Sequence, residues 1–201
     1  MNRFENWFCA SSFWRGVTSQ QVLPWLLAEA ELGEHVLEIG AGAGAATAEL
    51  RRHAARVTSL EYSRHLVTKL AAHSKSVDRN SEPNSGIAPG SGNGAVLQGD
   101  ATLLPFPSEA FSAVVAVLML HHLPSRAAQD QALRESFRAL RPGGLFLALD
   151  IENGWFNRIA HVRSTFVPLA LDEIPARFGA AGFRAVTMAK RRGVFRVKAL
   201  R

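Results

Sequence analysis

One ten-residue stretch limits what this chain can fold into: Val36-Leu37-Glu38-Ile39-Gly40-Ala41-Gly42-Ala43-Gly44-Ala45. An apolar run carrying a carboxylate gives way to three glycines at alternate positions. A helical pattern then opens at Ala45 and continues to about His53. Strand, tight turn and helix N-terminus in that order bring backbone N–H groups up against a ligand. Glycine suits the turn because it accepts positive φ and carries no Cβ to hold a ligand off the backbone.

The theme repeats downstream. Residues 56–61 form a second β-like run ending in Glu61, followed by a helix from about Ser63 to Ala72. Strand, helix and strand with short connections make a βαβ unit, which predicts parallel pairing and a right-handed crossover. Residues 95–98 are a third short strand, closed by Gly99-Asp100, and a loop with Pro105 and Pro107 follows. Residues 111–120 are nearly unbroken apolar, as a central strand covered on both faces requires, and His121-His122-Leu123-Pro124 ends the run. A helix over 126–140 has apolar residues at 133, 137 and 140 and stops at Arg141-Pro142-Gly143-Gly144. Residues 145–151 are a fifth strand, with Asp150 and Glu152 at its end.

Helices over 155–166 and, more clearly, 172–181 come next, with Gly182 closing the second. Two β-like runs, 185–189 and 194–200, flank Lys190-Arg191-Arg192-Gly193 and predict an antiparallel hairpin at the sheet edge. Residues 74–94 have flexible-linker composition without apolar periodicity and read as an exposed insertion. Residues 1–33 are helical in tendency and hold Trp7, Phe8, Phe13, Trp14 and Trp25. Such aromatics suit a helix packed over the domain or a lid over a ligand site, because both bury large areas. The organisation is thus a helical lid or appendage over 1–33 and one ligand-binding domain over 34–201, with no internal repeat.

With 201 residues and 47% apolar content, one sizeable core is available. No run of about eighteen apolar residues predicts a membrane span, and residues 1–7 lack the order of a secretion signal. Cys9, the single cysteine, cannot form an internal disulfide and suits a small buried side chain. No Cys/His cluster has zinc spacing, so no metal is expected, and the expected location is cytoplasmic. A net charge of +6 raises nucleic acid as a partner, but the arginines are dispersed as on a solvated surface, and Lys190-Arg191-Arg192 is the one tight run.

Together these motifs resemble the class I S-adenosylmethionine (SAM)-dependent methyltransferases over about residues 34–200. Glu38-Ile39-Gly40-Ala41-Gly42-Ala43-Gly44 is similar to the first motif, Glu61 stands where an acid binds the ribose, and Gly99-Asp100-Ala101 matches the adenine motif. Leu104-Pro105-Phe106, residues 111–115, His121-His122 and residues 140–144 follow in family order. The subgroup it resembles contains the quinone-biosynthesis C-methyltransferases and many small-molecule enzymes. Asn6-Trp7-Phe8-Cys9 and Leu23-Pro24-Trp25 are similar to segments of small bacterial members.

The resemblance implies an α/β fold: a three-layer Rossmann-like sandwich, with a mostly parallel seven-stranded sheet and an antiparallel C-terminal hairpin. It implies SAM as cofactor and S-adenosylhomocysteine as product, bound by Glu38, Gly40, Ala41, Gly42, Gly44, Glu61, Tyr62, Asp100, Ala101 and Val117. It further implies a small-molecule methyl acceptor and a monomer or homodimer. Residues 1–33 and 152–171 would set acceptor choice.

The chemistry of the acids agrees with this. A carboxylate at Glu38 can orient an ammonium, Glu61 can accept from a vicinal diol, and Asp100 can accept from an exocyclic amine. Gly40-x-Gly42-x-x-Ala45 also satisfies the dinucleotide fingerprint, so an NAD(P)-dependent oxidoreductase is the main alternative. Glu38 facing a pyrophosphate, Asp100 as a third acid and the terminal hairpin weigh against it. Methyl transfer itself asks chiefly for a dry, aligned site, with a general base only where the acceptor must lose a proton. His121 and His122 are the candidate bases, His121 slightly preferred, with Asp150 and Glu152 as further polar groups. An RNA-directed methyltransferase is a second alternative. The absence of an Asn-Pro-Pro-aromatic motif and of a cysteine pair favours a small molecule.

Overall fold

The computed structural model describes residue 11 and residues 16–80, 94–162, 164–191 and 193–201. Trp7, Phe8, Cys9, Phe13 and Trp14 lie outside the described residues, as does most of the expected insertion. Seven strands form in chain order: β1 (His35–Ile39), β2 (Arg56–Glu61), β3 (Val96–Gln98), β4 (Phe111–Val117), β5 (Leu140–Ile151), β6 (Arg184–Arg191) and β7 (Val194–Leu200). They make one sheet of order β3-β2-β1-β4-β5-β7-β6. The first five pair in parallel, while β7 runs antiparallel to both β5 and β6. The helices are α1 (Leu23–Leu27), entered through a π-helical turn (Thr18–Val22), α2 (Thr47–His53), α3 (Arg64–Asn80), α4 (Arg126–Ala139), α5 (Trp155–Ala160) and α6 (Ile174–Ala180).

The apolar strands supply both faces of the sheet by simple alternation. Ala113 and Val115 of β4, with Leu145, Leu147 and Leu149 of β5, join Leu23, Leu26 and Leu27 of α1 and Leu50 of α2. Val114 and Ala116, with Phe146 and Ala148, face the other way and join Leu133 of α4 and Phe178 of α6. The result is a three-layer sandwich. The end of the α1 segment is fixed by β7 side chains on the same face of the sheet: Lys198 Nζ donates to the carbonyl of Glu29 at 2.7 Å, and the Arg196 guanidinium lies 5.3 Å from the Trp25 ring. Residues 18–27 are therefore a wall of the domain.

Several boundaries differ from the sequence reading, each for a local reason. β4 ends at Val117 rather than 120, because Leu118 takes φ of 53° and turns the chain into a 3-10 turn over Leu120–His122. Residues 118–120 are apolar because Leu120 is buried and Met119 packs on Gly40, and apolarity alone does not separate a strand from a buried turn. α3 continues to Asn80, so residues 74–80 of the expected insertion are helical; a helix once nucleated needs no apolar periodicity to propagate. α5 stops at Ala160 instead of 166, since beyond it tertiary bonds capture the backbone. Val167 N donates to His121 O at 2.8 Å, and Gln129 Nε2 bridges Leu120 O at 3.0 Å and Val167 O at 2.7 Å.

Gln129 is fully buried and is the clamp between the β4 exit and the segment after α5. Replacing it with Leu strips the Val167 carbonyl of this donor, while Leu120 O keeps Leu123 N at 3.1 Å, and should cost about 1–3 kcal/mol in urea unfolding. An unchanged midpoint would show that the clamp carries no load.

Candidate functional site

Sheet order reverses between β1 and β4, and open parallel sheets bind ligands in the crevice at such a point, beyond the carboxyl ends of the strands. A cavity of about 630 Å³ lies there, within the ~300–1,000 Å³ usual for small-molecule sites. Its wall takes Gly40, Ala41 and Gly42 from the β1 exit, Glu61 and Tyr62 from the end of β2, Asp100 and Ala101 from beyond β3, and Val117 from the end of β4. Glu38 and His122 complete the set of sequence candidates that line it. Gly44 and His121 do not.

The three glycines divide three tasks. A Cβ on Gly40 would stand 2.5 Å from Met119 Cβ, so this position lets the β4 exit close over the turn. On Gly44 it would stand 2.5 Å from Leu70 Cδ1, so Gly44 seats α3 rather than a ligand. Gly42, at φ of 57°, has nothing within 4 Å of its Cβ position and lines the cavity.

The turn is not the anion cradle its glycines suggest. Gly40 and Ala41 donate to Leu60 O, Gly44 to Ala41 O, and Gly42 N donates to Glu61 Oε2 at 2.9 Å. Those N–H groups are satisfied internally, one of them by an acid. Among the described residues that line the cavity there is no Lys or Arg. Among the described residues a pyrophosphate would meet carboxylates and no cation there, which weighs against dinucleotide binding.

Strand parity and register set Glu38 opposite Ser59 on the α2 face. Its Oε2 accepts from Thr47 Oγ1 at 2.6 Å and from Ser59 Oγ at 2.8 Å. Burial pushes the carboxyl up to about 7, and those two hydroxyls hold it from rising further. The group therefore stands ready to ionise when a cation arrives. Glu61 is fixed by Gly42 N and by Ser63 N at 2.8 Å, one N–H to each oxygen, so each oxygen keeps a lone pair. Asp100 takes both Thr102 N and Thr102 Oγ1 on Oδ1, each at 2.8 Å, which orients the carboxylate. Tyr62 is well exposed at the rim.

The histidines part company. His121 is buried, with Nδ1 bonded to Asp150, which also accepts from His121 N at 3.2 Å. His122 lines the cavity, and burial carries its imidazole down to about 3, helped by His121. Of the two candidate bases His122 lines the cavity, whereas His121, slightly preferred from the sequence, does not. Sequence reasoning missed Thr18, a residue of the cavity wall whose buried hydroxyl has no partner among the described residues. It also missed Thr165 on the wall and His161 beside the histidine pair. A threonine in an unremarkable helix and residues far along the chain carry no local signal. The fold nonetheless assembles a three-histidine cluster that no zinc-type spacing announces.

This chemistry fits a nucleoside bearing a cationic amine: acids spread along one wall, an open glycine, and an orphan buried hydroxyl of the kind a polar ligand satisfies. The comparisons lead to the same class. The family described as a methyltransferase domain matches residues 37–148, and the chain belongs to it, as a SAM-dependent methyltransferase of class I. Membership implies SAM as the cofactor. A ubiquinone/menaquinone biosynthesis C-methyltransferase of Vibrio vulnificus is 29% identical over 134 residues, 67% of this chain and 47% of that relative. The chain thus spans about half the length of the curated relatives it matches. In fold it is similar to the PH0226 protein of Pyrococcus horikoshii, with a TM-score of 0.75 at 16% identity over 94% of this chain and 92% of the other. A SAM-dependent methyltransferase of Aquifex aeolicus gives 0.67 at 17% identity over 94% and 98%.

Two expectations follow. Gly42→Ala should cost only about 1–2 kcal/mol of stability, the penalty of a left-handed alanine, while weakening SAM. Gly44→Ala should cost more stability through the Leu70 clash and weaken SAM less; paired chemical-unfolding and calorimetric titrations separate the two effects. Glu38→Gln tests the buried carboxylate. Because the folded-state value is raised, folding loses stability as pH rises from about 4.5 towards 7 and stays lower above it. The Gln variant should lack that decline and exceed wild type at pH 8 by up to about 3 kcal/mol, with the difference shrinking at pH 5.

Proposed function

We propose that this methyltransferase moves the methyl group of SAM onto a small-molecule acceptor. The observation that carries the proposal is the convergence of Glu38, Glu61 and Asp100, from the ends of three neighbouring strands, on one cavity beside the open face of Gly42. Bound SAM would supply an electrophilic methyl on a sulfonium whose charge is lost on transfer. In this reading Glu38 neutralises the amino-acid amine, Glu61 accepts from the ribose hydroxyls, and Asp100 accepts from the adenine amine beside Ala101. Gly40, Ala41 and Val117 shape the apolar wall, Tyr62 covers the rim, and Gly44 acts through the packing of α3. Thr18 supplies a further polar contact, making residues 16–33 a wall of the site as well as of the core.

Positioning and exclusion of water are the main contributions such a wall can make. His122 faces the acceptor end together with Thr165. His122 Nδ1 donates to Thr165 O at 3.3 Å, which leaves Nε2 to accept from an acceptor hydroxyl or amine. A cavity with no cation among its described lining residues suits an uncharged or cationic acceptor better than a nucleic acid. The name of the Vibrio relative, a quinone-pathway C-methyltransferase, supports the small-molecule class. No helix among the described residues is long and apolar enough to cross a membrane, and we place the enzyme in the cytoplasm, as a monomer or homodimer.

Glu61→Ala and Asp100→Ala should each weaken SAM by about 1–3 kcal/mol, the value of a lost charged hydrogen bond, in calorimetric titration. Unchanged affinity in both would remove the cofactor assignment. Transfer of labelled methyl from SAM to the low-molecular-weight fraction of a cell extract, but not to its RNA, would support the acceptor class, and the converse would overturn it.

A further inference from the structure

Nucleotide binding uses none of the three clustered histidines, and the acceptor reading uses His122 alone. His121 and His122 leave β4 through the 3-10 turn, and His161 caps α5. The Val167 N to His121 O bond and the Gln129 clamp hold these two segments together. One ring nitrogen from each histidine lies within 4.8 Å of the other two. Tetrahedral bonds of 2.0–2.1 Å would draw the nitrogens to ~3.3 Å, a change within reach of small side-chain rotations.

Hydrogen bonding on each ring argues further. Nδ1 of His121 meets the Asp150 carboxylate, Nδ1 of His122 the Thr165 carbonyl, and Nδ1 of His161 the Asn157 carbonyl at 2.6 Å. Carbonyls only accept, so the proton in His122 and His161 sits on Nδ1 and the lone pair on Nε2. An Nδ1–H given to a carboxylate or a backbone carbonyl is the outer-sphere pattern of metal-ligating histidines, since it fixes tautomer and ring orientation. Simple packing is the competing explanation, and the His161 ring does stack on Phe166 at 4.6 Å between centroids. Packing asks nothing of the Nδ1 partners, whereas here all three are oxygen acceptors.

We infer that His121, His122 and His161 form a three-imidazole site for a divalent late first-row transition ion, Zn²⁺ foremost, with an open coordination position on the cavity side of His122. Three protein ligands with an open position are the composition of catalytic rather than structural zinc sites. On the methyl-transfer reading, on which this second step rests, an acceptor hydroxyl would take the open position. Coordinated there, it releases its proton to solvent more readily, and the resulting oxyanion attacks the methyl carbon as the carbon–sulfur bond breaks.

Tag-free protein stripped with chelator and titrated with Co²⁺ should gain visible d–d absorption saturating at one ion per chain, and Zn²⁺ should bleach it by displacement. His161→Ala should weaken Zn²⁺ by at least the ~10–100-fold that outer-sphere losses already cause, and Asp150→Asn should fall within that range. His53→Ala, at an exposed contact with Glu49, should leave the affinity unchanged. His122→Ala is the second variant if His161→Ala melts early in circular dichroism. Wild-type affinity no better than that of the folded cluster variants overturns the site, as does loss of binding in His53→Ala. SAM titrated into the same stripped protein keeps the two readings apart. SAM binding without ion binding removes the metal site alone, and ion binding without SAM binding removes the methyl-transfer reading alone.

Discussion

A carboxylate buried in the middle of the sheet is what the rest of this structure is arranged around. Glu38 sits on β1 between two apolar neighbours, 2% exposed, with the hydroxyls of Thr47 and Ser59 on one oxygen. Burying an acid is costly unless it is hydrogen-bonded and given a charge partner. The protein supplies those hydrogen bonds and the charge of Arg51, but together they do not offset the burial, and the carboxyl pKa rises accordingly. That unfilled demand is the reason to expect a positively charged ligand at the β1 exit.

The neighbouring parts follow from the same constraint. Glu61 occupies the Gly42 N–H, so the turn that could have cradled a phosphate presents an acid instead. The bare Cα of Gly40 leaves room for Met119, which the chain reaches after Leu118, in the left-handed region, has ended β4. Strain of that kind in a branched side chain costs of order 1–3 kcal/mol and tends to collect where a site must be shaped. The β4 exit then carries His121 inward to Asp150 and His122 outward to the cavity. One turn thus holds one imidazole on Asp150 and sets the next on the cavity wall.

Much of this was legible in the sequence. Five apolar runs punctuated by Gly and Pro gave the parallel strands, and an acid after each of the first three runs marked the crevice, because parallel sheets bind at their carboxyl edge. The terminal hairpin was legible from two β-like runs around a basic turn. The end of β4 was not, because residues 118–120 are apolar for burial in a turn rather than in a strand. The direction of the glycine-turn N–H groups was not either, since composition cannot say whether a donor faces a ligand or Leu60 O. Thr18, Thr165 and His161 reach the site through tertiary packing, and nothing in their local sequence announces it.

The proposed function requires this site to select against anions and for a cationic nucleoside. Parallel calorimetric titrations of the wild-type protein with SAM and with NAD, repeated in buffers of different ionisation enthalpy near pH 6.5, test that directly. SAM should bind and expel close to a proton's worth from Glu38 while NAD gives no heat of binding. Saturable NAD binding, or SAM binding without proton release, would contradict it.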